Sequence, residues 1–388
     1  MALSRDPEPA HLPGSGRSGA QGSLPAAAKR IEINRSLFTL AVTVRRPEGN
    51  EPLKVLVAGV GHLGKNHARV YTELEGVVLE CVVDSDPARA KEIGEKLGVP
   101  YFSEITRELL SRVHAASIVT PTPTHADVAR QCIEAGVSVL VEKPMTSTVK
   151  DGKSLCELAD AVGVTLQVGH IERFNPVVLS AHPFVRDPVY IECDRIHPFS
   201  FRSVETSVVL DLMIHDIDIT LNLVDSPVVH LEAVGAKVLS ETDDLASARL
   251  TFENGCTVMV KASRVAIQKS RKMRIFSRDS YLSLDYIAKT GMRMGFKEGF
   301  DRSKIDIREM AKLEEDQGSY PLFTKYFSIE QLHVASDEPL KSELQSFLHA
   351  VRADRTPVVT GAHGLQAIEI ATRIQEKIRQ QQEKLDGL

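Results

Sequence analysis

A glycine-rich loop constrains the fold of this chain more than any other feature of its sequence. Gly59, Gly61 and Gly64 directly follow an apolar run at residues 54–58, and a stretch with helical periodicity begins at residue 65. The first glycine permits a tight turn, and the third allows a helix and a strand to pack closely. The loop therefore predicts a strand–turn–helix unit within a parallel α/β sheet.

Strands and helices alternate through the first half of the chain and give way to successive strands in the second. Further apolar runs of the first half lie at residues 77–83, 115–119, 137–141 and 165–168, with helical stretches between them. This alternation predicts a parallel sheet covered by helices on both faces. After residue 171, extended stretches and a hairpin turn at Asn254-Gly255 predict an open, mostly antiparallel sheet. Two helices are predicted at the end of the chain, at residues 341–353 and 364–381.

The glycine loop and an acidic residue that follows it predict a dinucleotide site. The second glycine lets a pyrophosphate approach the backbone at a helix N-terminus. Asp84 closes the second predicted strand, where a carboxylate binds both ribose hydroxyls of NAD and repels a 2′-phosphate. Because the next arginine, Arg89, stands five positions further on, NAD is favoured over NADP.

Two loops that follow other predicted strands should border this site, since ligands bind at the carboxyl ends of parallel strands. One is residues 120–125, for which the alternative is a proline-rich turn with Thr124 capping the next helix. The other is Glu142-Lys143-Pro144, which taken alone reads as a surface ion pair. The predicted cofactor-binding residues are Gly59, Gly61, His62, Leu63, Gly64, Asp84, Thr120, Pro121, Thr122, His125, Glu142 and Lys143.

Length and composition divide the chain into three parts. The 388 residues suffice for two domains that each bury a core. We expect an α/β protein with an N-terminal Rossmann domain at residues 51–171 and an α+β domain for substrate binding and oligomerisation at residues 172–388. Residues 1–50 are rich in Gly, Pro, Ala, Ser and Arg and predict a disordered extension. Alternating apolar residues near position 40 keep open the alternative of an arm that reaches a neighbouring subunit.

Composition also excludes several classes of partner. A net charge of -5 gives no basis for binding nucleic acid, and no apolar run reaches the ~20 residues that a membrane span needs. The five cysteines are scattered and never form a C-x-x-C pair, so we expect no disulfides and a reducing cytoplasm. His170, His215 and Asp216 match no zinc spacing, so no metal is predicted. The expected partner is a small molecule.

The order of these motifs resembles that of the Gfo/Idh/MocA oxidoreductase family. The matching pieces are the glycine loop, Asp84, residues 120–125, Glu142-Lys143-Pro144 and residues 211–215 (Asp-Leu-Met-Ile-His). The resemblance covers about residues 52–380. It implies a Rossmann domain followed by an open, mostly antiparallel sheet, and a homodimer or homotetramer formed through that sheet. It also implies that the catalytic residues are Lys143, Asp211 and His215.

The chemistry of these residue types agrees with removal of a hydride from a carbinol carbon. Asp211 and His215 are four residues apart and share one face of a helix predicted at residues 207–224. An imidazole titrates near neutral pH and can take the hydroxyl proton. Lys143 can hydrogen-bond the substrate oxygen. Asp211 can bind a neighbouring hydroxyl or orient His215.

Two segments resemble one branch of the family, whose members oxidise nucleotide-activated amino sugars such as UDP-N-acetylglucosamine at C3. They are residues 169–176 (Gly-His-Ile-Glu-Arg-Phe-Asn-Pro) and residues 215–218 (His-Asp-Ile-Asp). The resemblance implies NAD-dependent oxidation of a sugar hydroxyl to a ketone, with substrate-binding residues His170, Arg173, Asn175, Asp211 and His215. We expect Arg173 to pair with a diphosphate oxygen and Asn175 with a hydroxyl or amide. The alternative is an ion pair between Glu172 and Arg173 at the domain junction.

Two other functions stay open at this point. One is an inositol or free-sugar dehydrogenase, although the glycine-rich stretch that some family members carry before the catalytic aspartate is replaced here by residues 208–210 (Val-Val-Leu). The other is a nucleotide-sensing regulator that keeps the fold without turnover. A pure sensor has no need of all three catalytic residues, so an enzyme is favoured.

Overall fold

The structure is a computed structural model, and it describes residues 42–47, 49–200, 204–297, 300, 306, 308, 311–312 and 326–387. The expectation of an N-terminal extension or arm lies almost wholly outside these residues. Its last part, residues 42–47, contacts the body of the protein. The backbone N–H of Arg45 donates to the carbonyl of Gly136 at 2.9 Å, and Arg46 forms an ion pair with Asp354.

A six-stranded parallel sheet forms the first half of the described chain, as the alternation of strands and helices predicts. Its strands are β1 (Leu53–Ala58), β2 (Val77–Val83), β3 (Tyr101–Phe102), β4 (Ala115–Ile118), β5 (Ser138–Glu142) and β6 (Leu166–Gly169). The helices between them are α1 (Gly64–Glu73), α2 (Pro87–Leu97), α3 (Arg107–Leu110), α4 (Thr122–Glu134) and α5 (Val149–Val162). The strand order β3-β2-β1-β4-β5-β6 reverses direction between β1 and β4. A reversal of this kind opens a ligand crevice at the carboxyl ends of the strands.

An eight-stranded sheet forms the second half, and it is mostly antiparallel as predicted. Its strands are β7 (Pro188–Ile196), β8 (Val228–Ala236), β9 (Leu245–Phe252), β10 (Thr257–Ser263), β11 (Ser270–Ser277), β12 (Ser280–Asp285), β13 (Thr290–Phe296) and β14 (Phe327–Gln331). Their order is β14-β13-β12-β11-β7-β10-β9-β8, and β7 and β10 are its parallel pair. The predicted hairpin turn joins β9 to β10, and Gly255 adopts a φ of +88° there.

Helices cover one face of the second sheet. They are α6 (Pro176–Ala181), a π-helical turn (Val209–Met213) that leads into α7 (Ile214–Val224), and the last helix, α9 (Gly361–Asp386). Burial alternates along the strands, so that Ala246, Ala248 and Leu250 of β9 are buried while Leu245 is 40% exposed. Among the described residues, no helix combines the length and the apolar character that a membrane span requires.

The helix before the last, α8 (Pro339–Ala353), returns to the first sheet. Its apolar residues Leu344, Phe347 and Val351 are buried in one cluster with Tyr71 of α1 and Val55 of β1. The sequence assigns this helix to the second domain, whereas its amphipathic face is buried against the first sheet. The division of the chain at residue 171 therefore stays a prediction, and α8 crosses it.

Candidate active site

The glycine loop between β1 and α1 has the geometry of a phosphate cradle. Gly59 adopts a φ of +83°, and a Cβ atom added there would lie 2.6 Å from the carbonyl oxygen of Val119. A Cβ atom on Gly64 would lie 1.8 Å from the carbonyl oxygen of Gly59, so the start of α1 packs directly on the turn. A Cβ atom on Gly61 would meet nothing within 4 Å and would project into open space. Gly61 thus keeps the backbone accessible to a ligand, as a dinucleotide pyrophosphate requires.

Asp84, at the end of β2, is buried and tied to this loop. Its Oδ2 accepts the backbone N–H of Val60 at 2.9 Å, and its Oδ1 accepts that of Asp86 at 3.0 Å. The guanidinium of Arg89 also reaches the carboxylate, with Nη1 at 3.2 Å from Oδ1. The side chain of Asp86 caps α2 and so places Arg89 in the first turn of that helix, beside Asp84. The five positions between Asp84 and Arg89 in the sequence led to the expectation that Arg89 is too far away to reach this part of the site. The structure corrects that expectation, because the two side chains are in contact.

A cavity of about 680 Å³ opens at the carboxyl ends of the first sheet, within the size range of small-molecule sites. Of the twelve predicted cofactor residues, Gly64 alone is absent from its wall, because it packs beneath the turn. The other eleven are Gly59, Gly61, His62, Leu63, Asp84, Thr120, Pro121, Thr122, His125, Glu142 and Lys143. Four further polar residues that no sequence motif marks also line the cavity: Ser85, Ser103, Gln131 and Thr206.

His125 joins the two predicted loops. Its Nε2 lies 2.8 Å from the carbonyl oxygen of Thr120, and its Nδ1 lies 3.0 Å from that of Pro144. The helix that follows begins at Thr122, and the hydroxyl of Thr124 donates to the carbonyl of Pro121. Thr124 is therefore not a helix cap, and His125 fixes the cavity wall at the ends of β4 and β5.

Lys143 and Asp211 meet at the end of this cavity. The Nζ atom of Lys143 donates to the backbone carbonyl of Asp211 at 2.7 Å and lies 3.6 Å from its Oδ1. Burial lowers the pKa of Lys143, although attraction by Asp211 and Glu142 opposes the shift. The helix predicted over residues 207–224 is interrupted, because Asp211 belongs to the π-helical turn before α7. π-Helical turns of this kind are frequent at functional sites.

His215 lies in the first turn of α7, beyond Asp211. Burial lowers its pKa well below the ordinary value, and the charges of Lys143 and Arg195 act in the same direction. Its buried Nδ1 finds no hydrogen-bond partner within the part of the chain that the structure describes. A histidine in this setting is neutral at neutral pH and can accept a proton.

Two of the predicted substrate residues of the segment 169–176, Arg173 and Asn175, form hydrogen bonds with other residues of the protein. The guanidinium of Arg173 donates to both carboxylate oxygens of Asp218, at 2.7 and 3.2 Å. Asn175 caps α6 by accepting the backbone N–H of Val177, and its amide donates to Glu172 at 2.8 Å. Neither Arg173 nor Asn175 lines the cavity. The alternative of an ion pair between Glu172 and Arg173 is wrong, because Glu172 pairs with Arg195 and Arg173 pairs with Asp218. The role of Arg173 and Asn175 in substrate binding stays a prediction.

Behind these residues lies a buried ionic cluster that sequence reasoning missed. Arg195 of β7 donates two hydrogen bonds to Asp216 of α7, at 2.7 and 2.9 Å, and one to Glu172 at 2.8 Å. Its side chain is 2% exposed. The cluster ties the second sheet to the segment after β6 and to the start of α7. No spacing rule relates these three positions, so the sequence carried no signal for it.

A second buried pair is formed by His67 and Glu142, the residue that precedes Lys143. The carboxylate of Glu142 is 3.2 Å from Nε2 of His67 on α1. Burial raises the pKa of Glu142, but the hydrogen bond and charge of His67, together with Lys143, outweigh it and bring that pKa below its ordinary value.

The predicted substrate residue His170 is also buried, and neither of its ring nitrogens has a hydrogen-bond partner among the described residues. Burial lowers the pKa of His170.

Comparison with known proteins agrees with this architecture. A model of an oxidoreductase family with an NAD-binding Rossmann fold matches residues 53–170, and a GFO/IDH/MocA C-terminal domain model matches residues 189–282. The UDP-N-acetylglucosamine 3-dehydrogenase of Acidithiobacillus ferrooxidans is 33% identical over 323 residues, which is 82% of this chain and 95% of that enzyme. The scyllo-inositol 2-dehydrogenase (NAD(+)) of Bacillus subtilis is 30% identical over 233 residues, 55% of this chain and 68% of that enzyme.

Solved structures give the same result. The Acidithiobacillus ferrooxidans UDP-N-acetylglucosamine 3-dehydrogenase superimposes with a TM-score of 0.73 at 32% identity, covering 84% of this chain and 98% of that one. A levoglucosan dehydrogenase in complex with NADH and levoglucosan has a TM-score of 0.71 at 17% identity over 85% of this chain and 98% of that one, and it shares the fold. This chain therefore belongs to the Gfo/Idh/MocA family of NAD-binding oxidoreductases.

Proposed function

We propose that this protein oxidises the C3 hydroxyl of a UDP-N-acetyl amino sugar, with UDP-N-acetylglucosamine as the first candidate and NAD as hydride acceptor. The observation that carries the proposal is the contact of Lys143 with Asp211 at the end of the dinucleotide cavity, with His215 in the next helical turn. The choice of sugar is supported by the similarity to the Acidithiobacillus ferrooxidans enzyme, which extends over most of both chains.

The three residues have complementary roles in this reaction. Bound NAD supplies the acceptor for the hydride that leaves C3 with its electron pair. The neutral imidazole of His215 takes the proton of the C3 hydroxyl, so that the carbinol becomes a ketone. The ammonium of Lys143 donates to the reacting oxygen and stabilises the negative charge that develops on it. Asp211 binds a neighbouring hydroxyl or orients His215.

NAD remains the proposed cofactor, with NADP the weaker choice. The buried carboxylate of Asp84 stands where the ribose of the adenosine half binds in this fold. Arg89 partly offsets its charge, so the discrimination against a 2′-phosphate rests on the balance between these two side chains. The measurable quantity is the ratio of kcat/KM for the two cofactors.

We also propose that the protein is a cytoplasmic homodimer or homotetramer. The face of the second sheet that the helices leave uncovered carries exposed apolar side chains, among them Val189, Val234 and Leu245. Apolar side chains on an open sheet face favour association with a second copy. Five free cysteines are compatible with a reducing compartment.

The test is absorbance of NADH with purified protein, NAD and a panel of UDP-sugars, free hexoses and inositols. Turnover of UDP-N-acetylglucosamine supports the proposal. Turnover of an inositol alone favours the second candidate, an inositol dehydrogenase, to which the similarity with the Bacillus subtilis enzyme points. A silent panel with demonstrated NAD binding contradicts both.

The proposed catalytic residues are tested by Lys143→Met and His215→Gln. We expect each variant to lower kcat by roughly 100- to 10,000-fold, because general acid–base and electrostatic stabilisation contribute on that scale. Calorimetric binding of NAD should change little. The matched control is His230→Gln, which replaces an exposed histidine on β8 and should keep full activity. Full activity in both site variants would contradict the assignment.

A further inference from the structure

Arg271, at the start of β11, is a cation whose hydrogen-bond donors are largely unused by the residues that the structure describes. Its Nη2 lies 3.3 Å from Nε2 of His197, and its Nη1 lies 3.8 Å from Oε1 of Glu172, which is beyond hydrogen-bond distance. Its buried Nε has no partner among the described residues. The side chain is still 29% exposed, so a ligand can reach it.

Glu172 forms a long ion pair with Arg271, at 3.8 Å, and both of its oxygens also accept shorter hydrogen bonds from other residues. Oε1 accepts a hydrogen bond from Arg195 at 2.8 Å, and Oε2 accepts one from Asn175 at 2.8 Å. A guanidinium carries five N–H donors. Leaving such donors unsatisfied in a partly buried place is costly, which points to a partner outside the described part of the chain.

Arg271 lies opposite Arg195 in the pairing of β11 with β7, and Arg195 binds Asp216, the residue that follows His215. Burial and the nearby charge of Arg195 lower the pKa of Arg271, and Asp211 is among the acidic groups that oppose this shift. Arg271 is also among the cations that, after burial and Lys143, lower the pKa of His215. Burial lowers the pKa of His197, and the charge of Asp211 opposes that shift. The subsite made of Arg271 and His197 therefore lies within electrostatic reach of the reacting centre.

The faces of β11 separate Arg271 from its neighbours. Met273 and Ile275 share its face and are completely buried, whereas Arg274 lies on the opposite face. Arg274 is 39% exposed and pairs with Glu192 at 3.1 Å. One strand thus presents Arg274 on its exposed face and Arg271 on the face that carries the buried Met273 and Ile275.

We propose that Arg271, oriented by His197, binds a phosphoryl group of the diphosphate that links the sugar to its nucleotide. This inference rests on the proposed function, and it assigns the phosphate contact to Arg271 because Arg173 is held by Asp218. The planar fork of a guanidinium matches two phosphate oxygens, and Nε2 of His197 accepts a hydrogen bond from Nη2 and so holds the fork in place. A neutral sugar such as inositol gives this arginine no anionic partner.

The experiment is Arg271→Gln, with Arg274→Gln as the matched control from the same strand. A charge-assisted contact to phosphate predicts that the KM for UDP-N-acetylglucosamine rises roughly 10- to 100-fold in Arg271→Gln, while kcat falls less than about threefold. The Kd of UDP, measured by calorimetry on the NAD-loaded enzyme, should rise by the same factor. The KM for NAD should be unchanged, which excludes an effect on the cofactor's own diphosphate.

Other outcomes separate the two proposals. If UDP-N-acetylglucosamine is turned over and Arg271→Gln binds UDP as tightly as Arg274→Gln does, the subsite is refuted and the proposed function stands. If the wild-type protein oxidises an inositol and binds no UDP, both fail. Weaker inhibition of Arg271→Gln by glucuronate, with UDP binding unchanged, would mean that the arginine takes a sugar carboxylate and would overturn the diphosphate assignment. Urea midpoints equal to wild type exclude misfolding as the cause.

Discussion

Arg195 on β7 is the charge whose removal we expect to destabilise the fold most. It is almost completely buried and donates three hydrogen bonds of 2.7 to 2.9 Å to Asp216 and Glu172. In Arg195→Met the two carboxylates stay buried without their cation, although the methionine fills most of the volume. Breaking one buried pair costs about 3–5 kcal/mol. Since a typical protein unfolds at 5–15 kcal/mol, this variant should lose a large part of its stability.

The loss should depend on pH, and its sign follows from the carboxylates. Burial raises the pKa of Asp216 while Arg195 opposes the rise, so that pKa rises further in Arg195→Met. A carboxyl whose folded pKa is raised keeps a proton that the unfolded chain has lost, so the free energy of unfolding falls as pH rises above about 4. In the wild-type protein Arg195 instead helps to hold the pKa of Glu172 below its ordinary value. The deficit of the variant should therefore be larger at pH 8 than at pH 5.

The assay is urea unfolding followed by circular dichroism at fixed protein concentration, at pH 5 and pH 8. Arg274→Met is the control, because it breaks an exposed pair with Glu192 and should cost at most about 1 kcal/mol. Arg195→Met combined with Asp216→Leu should recover part of the loss, since it removes the orphaned charge as well. A deficit below about 1 kcal/mol, or one that is the same at both pH values, would refute the reasoning.

Two further predictions concern the cofactor and a buried acid. Asp84→Asn should keep the hydrogen bond to the loop and remove the buried charge beside Arg89, which keeps its ion pair with Asp86. The ratio of kcat/KM for NADP to that for NAD should therefore rise about 10-fold, and an unchanged ratio would show that Asp84 does not read the ribose. Glu343 of α8 is completely buried, and burial, followed by the charges of Glu142 and Asp218, raises its pKa well above the ordinary value. The folded protein therefore holds a proton that the unfolded chain releases above about pH 4, and stability falls with rising pH by up to ~1.4 kcal/mol per unit. Glu343→Gln should remove this loss of stability. In urea unfolding, the variant should have a higher free energy of unfolding than the wild type at pH 9 and an equal one at pH 4. The same difference from wild type at both pH values would contradict a neutral carboxyl.

The glycine loop and the two loops that line the same cavity could be predicted from short stretches of sequence. The glycine loop needs only the strand before it and the helix after it, and both the φ of Gly59 and the contact of Gly64 with the turn follow from that requirement. The loops after β4 and β5 were predicted to border the same crevice because the carboxyl ends of parallel strands share one edge of a sheet. The two-residue strand β3 escaped notice because so short a segment has no detectable period.

The contacts of the predicted substrate residues could not be predicted from the sequence, since they join residues far apart in the chain. Arg173 looked like a free cation in the sequence, and only the packing of α7 against the segment after β6 reveals Asp218 as its partner. Arg271 lies on a strand whose sequence indicates only an extended conformation. Its place opposite Arg195 comes from the pairing of β11 with β7 in the second sheet. No periodicity or motif encodes that order.

The contact of Lys143 with Asp211 joins the end of β5 to the segment that precedes α7. The Nζ atom lies nearer to the backbone carbonyl of Asp211, at 2.7 Å, than to its carboxylate, at 3.6 Å. The backbone of the π-helical turn therefore holds the lysine more closely than the carboxylate does. The sequence pattern predicted a regular helix here and did not reveal the π-helical turn. A π-helical turn is wider than a regular one, and this turn lies where the backbone before α7 approaches the end of β5.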